Sequence, residues 1–389
     1  SHNWDGALLV TAQGVAGSFS GSITGVFTLP DITVAGDVRF AVNTTPSAVR
    51  RPDLGIGVPA GSFLHVEIAG GSLTLDDGGP TFTGSFLFAR STMAATPTPV
   101  AVTTIAFTGV SVALINEGET EGFSVTDGQG AFLLQAGGIA GLFSGRISAG
   151  GGGLSADAEV SVRYNGTTSA IDEVVTVGGV DIPIVFTAAE VADGTGPYIN
   201  AAVSGALKIG DFVEISGTVS FDSAGGVVAV SNLTVFVGQG PGFLEDGTTL
   251  NPLAKGLLLT GVSGLIKGNA ISGRVISISG TVQLIGFEGL TLAGTVQVLY
   301  NQTTSEQVLG SGDDAVTLAE GTALAPFILV VGDLDLGIAG QTLTGSFAFE
   351  TLAGGGLRMK FGTSARDGGT PLTLSLGDGV VVATVASGE

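Results

Sequence analysis

The chain has 389 residues, of which 66 are Gly and none is Cys, and 13 Lys and Arg against 34 Asp and Glu leave a formal charge of −21. That field repels phosphate backbones and anionic lipid, which argues against nucleic acid and membrane surfaces as partners. Without Cys there are no disulfides, thiolate metal sites or Cys nucleophile, and a mean hydropathy of +0.53 is too apolar for a disordered linker.

In chain order, the opening SHNWDGALLV has neither a basic region nor a long apolar run, so it reads as a processed chain or a piece of a longer one. GSFSGSITGVF (Gly17 to Phe27) and VRFAVN (Val38 to Asn43) alternate with period two and predict strands with one buried face. Gly55 to Ala60 (GIGVPA) matches G-x-G-x-x-A in form. Pro59 and another strand pattern follow where a dinucleotide site needs a helix, so that motif is rejected. In FLHVEIAG the alternation puts Phe63, His65 and Glu67 on one face. A His–Glu pair suits acid–base chemistry or a metal, and equally a surface cross-strand pair. Val160 to Asn165 and Thr295 to Tyr300 alternate likewise, whereas TAAEVADG from Thr187, the best helical stretch, is short. LAPFILVV (Leu324 to Val331) is the longest apolar run. It is strand-sized, far below the roughly 18–20 residues of a membrane helix. Membrane β-barrels carry aromatic girdles, whereas one Trp and three Tyr are present here; the 21 Phe are expected in a dry core. No G-x-S-x-G elbow occurs.

The chain also repeats itself. GALLVTAQGVAGSFSGSI, GAFLLQAGGIAGLFSGRI and LAKGLLLTGVSGLIKG align on Gly14, Gly138 and Gly261. VRFAVNTTPSAV, VSVRYNGTTSAI and VQVLYNQTTSEQV align on Asn43, Asn165 and Asn301. TGSFLF, SGTVSF and TGSFAF align on Thr83, Ser216 and Thr344. The order is constant, and the end, GDGVVVATVASGE, resembles the opening. Repeats of about 124 residues are therefore expected at 1–127, 128–252 and 253–378, with 379–389 as the start of a fourth unit or an end-to-end pairing strand. Few charges are available to coat a free-standing module, so neighbours are expected to bury one another's faces. The expected fold is all-β: tandem Gly-rich antiparallel β-sandwich-like repeats forming a rod or filament, with a continuous β-solenoid as the alternative. Glycines recurring in FSG, FTG, ISG and LAG mark bulges or close approach from a facing sheet.

Acidic residues cluster in the loops. Glu117, Glu119, Glu121, Asp127, Glu245, Asp246, Asp313 and Asp314 are candidate calcium ligands, because hard cations take loop carboxylates and carbonyls, although no EF-hand or GGxGxD pattern is present. The N-x-T triplets at Asn43, Asn165, Asn232 and Asn301 suit a recurring turn better than glycan attachment.

The grammar LLVTAQGVAGSFSG, VNTTPSAV, PAGSFLHVEIAGGSLTL, FTGSFLF resembles the tandem-repeat regions of giant bacterial extracellular or surface adhesin-like proteins. The resemblance covers essentially the whole chain and implies a non-catalytic extracellular stalk or fibre. Such a stalk is acidic and in some members calcium-dependent, requires no other cofactor, and has neighbouring repeats or copies of itself as partners. A surface or carbohydrate-binding module is the alternative.

Overall fold

The computed structural model describes residues 4–389 except 30–31, 76–80, 94–99, 116–121, 152–153, 194–195, 210–212, 225, 245–246, 248, 270–272, 310–315, 323–325, 352–356, 366–368, 377–378 and 380. Strands dominate, and the described residues include no α-helix. Among the described residues, twenty-one strands belong to one large antiparallel sheet, and six more make three separate two-stranded hairpins. TAAEVADG is a turn, closed by Glu190 N–H donating to Thr187 O, rather than a helix. The chain divides into two compact units, Ser1–Gly151 with Asp157–Ala202 and Gly152–Ala156 with Val203–Glu389. Of the repeat limits expected from sequence, 127 falls inside a strand and 252 between two strands.

The first unit carries β1 (Trp4–Thr11), β2 (Gly14–Leu29), β3 (Ile32–Asn43), β4 (Val49–Arg51), β5 (Ile56–Val58), β6 (Phe63–Leu75), β7 (Thr81–Met93), β8 (Val100–Ile115), β9 (Gly122–Gln135) and β10 (Gly138–Gly151). It also holds most of β11 (Leu154–Asn165), β12 (Ile171–Val177), β13 (Val180–Phe186) and the opening of β14 (Tyr198–Ile209). Strands β1, β2, β3, β6, β7, β8, β9 and β10 form a meander in which each pairs with the next. Hairpins β4–β5 and β12–β13 leave the meander as flaps. In the second flap, Ile171, Val175, Val177, Ile182, Ile184 and Phe186 alternate inward and are buried against Leu87, Val102, Ala106, Ala131 and Leu133 of the sheet. Burial of each large side chain is worth about 1.5–3 kcal/mol. Pro183 fits because β13 pairs on one side only, with β12.

The second unit carries β15 (Val213–Asp222), β16 (Val227–Gln239), β17 (Lys255–Asn269), β18 (Gly273–Ile285), β19 (Leu290–Asn301), β20 (Gln307–Leu309), β21 (Val316–Leu318), β22 (Phe327–Ile338), β23 (Gln341–Thr351), β24 (Leu357–Gly362), β25 (Leu372–Leu376), β26 (Val381–Val385) and β27 (Ser387–Gly388). Its meander runs β15, β16, β17, β18, β19, β22, β23, and β20–β21 is its flap, burying Leu309 and Leu318 beside Val275 and Leu299. Strand β23 then pairs with β25 over Thr342–Thr344 and with β24 over Phe347–Thr351. The segment expected to begin a fourth unit folds back, β26 onto β25 and β27 onto β24.

The all-β, antiparallel fold expected from the sequence is found, with short flaps as the layer facing the large sheet. One expectation about the layers is corrected. The Phe side chains are largely on the sheet's other face rather than in a dry core. In the first unit, Phe19, Phe40, Val66, Phe88, Ile105 and Phe132 lie abreast on successive strands. Beside them run Val38, Ile68, Phe86 and Phe107, then Gly130 and Phe143. The third row is Val42, Leu64, Arg90, Thr103, Leu134 and Ile139. The flap side of the same strands sets alanines, Ala16, Ala41, Ala106, Ala131 and Ala140, among Leu87, Val102 and Leu133, and the alanines let the flaps approach closely.

The strand glycines meet neighbours in their own sheet, not a facing one. A Cβ on Gly141 would sit 2.5 Å from Cδ1 of Phe132, and one on Gly130 2.8 Å from Cζ of Phe107. The rings lie across the glycines of the adjoining strand. The TGSF-type landmarks behave differently: Gly84, Gly217 and Gly345 all have φ between 133° and 144°. The register shifts at the first two, and Gly345 sits where β23 changes partner.

Candidate functional site

The feature that recurs is a buried turn at the end of β3, β11 and β19, from which each flap departs. Its sequence is N-x-T-x-S: Asn43 to Ser47, Asn165 to Ser169 and Asn301 to Ser305. All three Asn are 0% exposed. In each, Oδ1 accepts from the backbone N–H and the hydroxyl of the Thr two residues on, an Asx turn, at 2.7–2.9 Å. The amide Nδ2 donates to the Ser carbonyl and to a carbonyl just beyond the flap: Pro59 O at 2.5 Å, Glu190 O at 2.8 Å and Ala319 O at 2.7 Å. One side chain thereby joins the departure and the return of the flap.

Two further bonds recur. The N–H after the Asn donates to Val15 O, Ile139 O and Arg274 O on the neighbouring strand, and the Thr carbonyl accepts from Gly61, Ala192 and Gly321. The turn reading of these triplets holds, although the side chain makes the turn and not a left-handed backbone. Only Asn232 has that backbone, with φ 52°. The alignment of the third glycine does not hold. Gly14 and Gly138 begin strands against the junction, and the third junction has Gly273 in that place. Gly261 instead sits in a bulge of β17, between Thr260 and Ser263. From Gly138 to Gly273 is 135 residues and from Asn165 to Asn301 is 136, against 124 and 122 for the preceding pair.

At the middle junction the flap is also locked electrostatically. Arg163 on β11 donates to Glu190 Oε1 at 2.7 Å and to Val185 O at 2.6 Å, with its guanidinium 4.9 Å from the centre of the Phe186 ring. Glu190 also accepts from the N–H and hydroxyl of Thr187. Its carboxyl is held down to about 2, first by the Arg163 hydrogen bond and then by the Thr187 N–H, against the opposing effect of burial.

The first unit holds a cleft of about 520 Å3 floored by β1, β2, β3 and β6, with the β12–β13 turn as one wall. Asp5, Ser20, Ser22, Asp37, Arg39 and Glu67 supply its polar lining. Glu67 is buried, with Oε1 accepting from Gly178 N–H at 2.8 Å and Oε2 lying 3.4 Å from His65 Nε2 and 3.5 Å from Arg39 Nη1. Alternation thus placed His65 and Glu67 correctly on one face. The signal missed was the partner 111 residues away, a Gly-Gly turn whose backbone N–H fastens the flap tip to the sheet. Asp37 accepts from the Ser22 hydroxyl. This lining offers hydrogen bonds to a polar ligand, and its Glu67 and Asp37 side chains are already bonded to protein.

Of the calcium candidates, Glu117, Glu119, Glu121, Glu245, Asp246, Asp313 and Asp314 lie outside the described residues. Asp127 is exposed on β9 in left-handed backbone, φ 53°, at a bulge. Its field adds a small part to raising the Arg146 guanidinium, whose main partner is the bidentate Asp157 at 2.6–2.7 Å. Among the described residues, no three His, Asp or Glu side chains group to hold a metal ion, and no helix is long and apolar enough to cross a membrane. No family model, curated protein or solved structure matches the chain.

Proposed function

We propose that the chain is a non-catalytic extracellular structural protein, a fibre or filament subunit or adhesin stalk assembled from tandem β repeats. The observation that carries this reading is the threefold junction, in which the same hydrogen-bonded Asn-Thr pair, with its Asn buried, launches a flap from a long antiparallel sheet at residues 43, 165 and 301. A sheet extended by repeated hairpins gains stability from nearest-neighbour contacts, so adding units lengthens the protein without a new core design. Its partners on this reading are neighbouring repeats and further copies of the chain. Calcium, where it contributes, sits in the acidic loops. Electron microscopy of the native material tests the proposal: filaments or stalks with a regular axial repeat are expected, and discrete globular particles would overturn it.

The carbohydrate-binding reading draws on the hydroxyl- and carboxylate-lined cleft around Glu67. Saturable glycan binding lost on Ser20→Ala with Arg39→Ala would favour it over the structural role.

A further inference from the structure

We infer that the apolar face of the sheet, on the side away from the flaps, is a self-association surface that packs against the same face of a second copy. The inference rests on the structural-protein reading and specifies which surface joins the copies.

In the first unit this face crosses eight strands, β1 to β3 and β6 to β10, in three rows. Strands about 4.8 Å apart and same-face residues about 6.8 Å apart give it an area of roughly 700 Å2. That is close to the roughly 800 Å2 each partner contributes to a stable interface, and larger than the apolar patches monomers ordinarily expose. Among the described residues no flap covers it: Phe88, Ile105 and Ile139 are 44%, 40% and 45% exposed. The three rows carry one charged side chain, Arg90, in a chain of formal charge −21. The acidic charge that would drive copies apart therefore lies elsewhere.

The relief of the face suits another sheet. Phe132 and Phe107 lie across Gly141 and Gly130, so these two rings fill the places where the adjoining strand has no side chain. Apolar sheet faces pack at about 10 Å with strands crossing at about 30°. The second unit repeats the arrangement: Val219, Val230, Ile278, Val298, Val330 and Phe349 lie abreast, opposite the face that holds its flap. A lipid surface is the less favoured occupant, since one Trp, Trp4 at the β1 edge, is not an aromatic belt and Arg90 is the one cationic side chain of the three rows.

The test is sedimentation of the full chain over a range of concentrations, comparing the unaltered protein with Phe88→Lys/Ile105→Glu. These residues are direct cross-strand partners, so the new pair is compatible with the sheet and leaves net charge unchanged. The unaltered chain is expected to associate, and the double variant to associate about 100-fold more weakly or worse. Val174→Lys, on the outer side of the β12–β13 flap, is expected to associate as the unaltered chain does. If the double variant does not fold, Ile139→Lys at the edge row gives the same reading. A chain that is monomeric throughout, or one that binds zwitterionic vesicles as a monomer, overturns the inference. So does undiminished association of the variants. In that last case filaments seen by microscopy would leave the structural role standing, whereas a monomer without filaments removes both.

Discussion

Thr167 Oγ1 donates to Asn165 Oδ1 at 2.7 Å, with both side chains sealed from solvent, and the same pair recurs as Thr45 with Asn43 and Thr303 with Asn301. Asn is required because one group must accept on Oδ1 while donating two bonds from Nδ2 to carbonyls. Asp at this position would turn an oxygen toward Ser169 O and Glu190 O and bury a charge. Asn165→Asp is expected to cost about 3–5 kcal/mol, and Asn165→Ala about 2–4 kcal/mol through stranded polar groups. Thr167→Val, which leaves the Thr N–H bond in place, should cost about 1–2 kcal/mol. Denaturant midpoints should fall in that order; a loss no greater than that of an exposed substitution would show that the junction does not hold the flap.

Glu190 gives a pH dependence with a definite sign. Its folded value of about 2 lies below the ordinary glutamate value of 4.5, so the folded state binds the proton more weakly than the unfolded chain. The stabilisation is fully present above pH 4.5 and is lost as pH falls toward 2. Glu190→Gln keeps a hydrogen-bonding group and removes the titration. Its melting temperature should be lower than that of the unaltered chain at pH 7, and the two should converge as pH falls from 4.5 to 2. A constant gap across that window would contradict the assignment.

The parts legible in the sequence were those set by local chemistry. Alternation placed Phe63, His65 and Glu67 on one face, and N-x-T marked the three turns, because pleat and Asx turn each depend on residues two apart. The flaps were not legible: VDIPIVF alternates like any strand, and nothing local tells that it leaves the sheet. Gly261 was mistaken for the counterpart of Gly138 because a bulge glycine and a strand-opening glycine leave the same letter. The Phe were assigned to a core because alternation gives two faces without saying which is covered. The acidic loops specified charge without geometry.

Gly141 and Gly150 on β10 should respond oppositely to the same substitution. A Cβ at Gly141 would meet Ala131 O at 2.3 Å and the Phe132 ring at 2.5 Å, whereas at Gly150 there is open space. Gly141→Ala is expected to cost about 1–3 kcal/mol as the Ala131 carbonyl and the Phe132 ring give way. Gly150→Ala should be neutral or stabilise by up to about 1 kcal/mol, through reduced freedom of the unfolded chain. Paired thermal melts decide this, and similar losses at both sites would mean that β9 does not crowd Gly141.

The Glu67–Gly178 bond should control the mobility of the second flap's tip more than the stability of the whole chain. The bond spans 111 residues but touches only the turn, while the flap's anchors, Ile182, Ile184 and Phe186, lie along the body of the hairpin. Glu67→Gln can still accept from Gly178 N–H and should leave amide exchange there nearly unchanged. Glu67→Ala removes the acceptor, so exchange at Gly178 should quicken by about tenfold, the effect of losing roughly 1.4 kcal/mol of protection. Exchange at Ile182 and Ile184, sealed by the core, should stay slow. Equal acceleration at all three amides would mean that Glu67 supports the entire flap, and an unchanged Gly178 that the tip is held by packing alone.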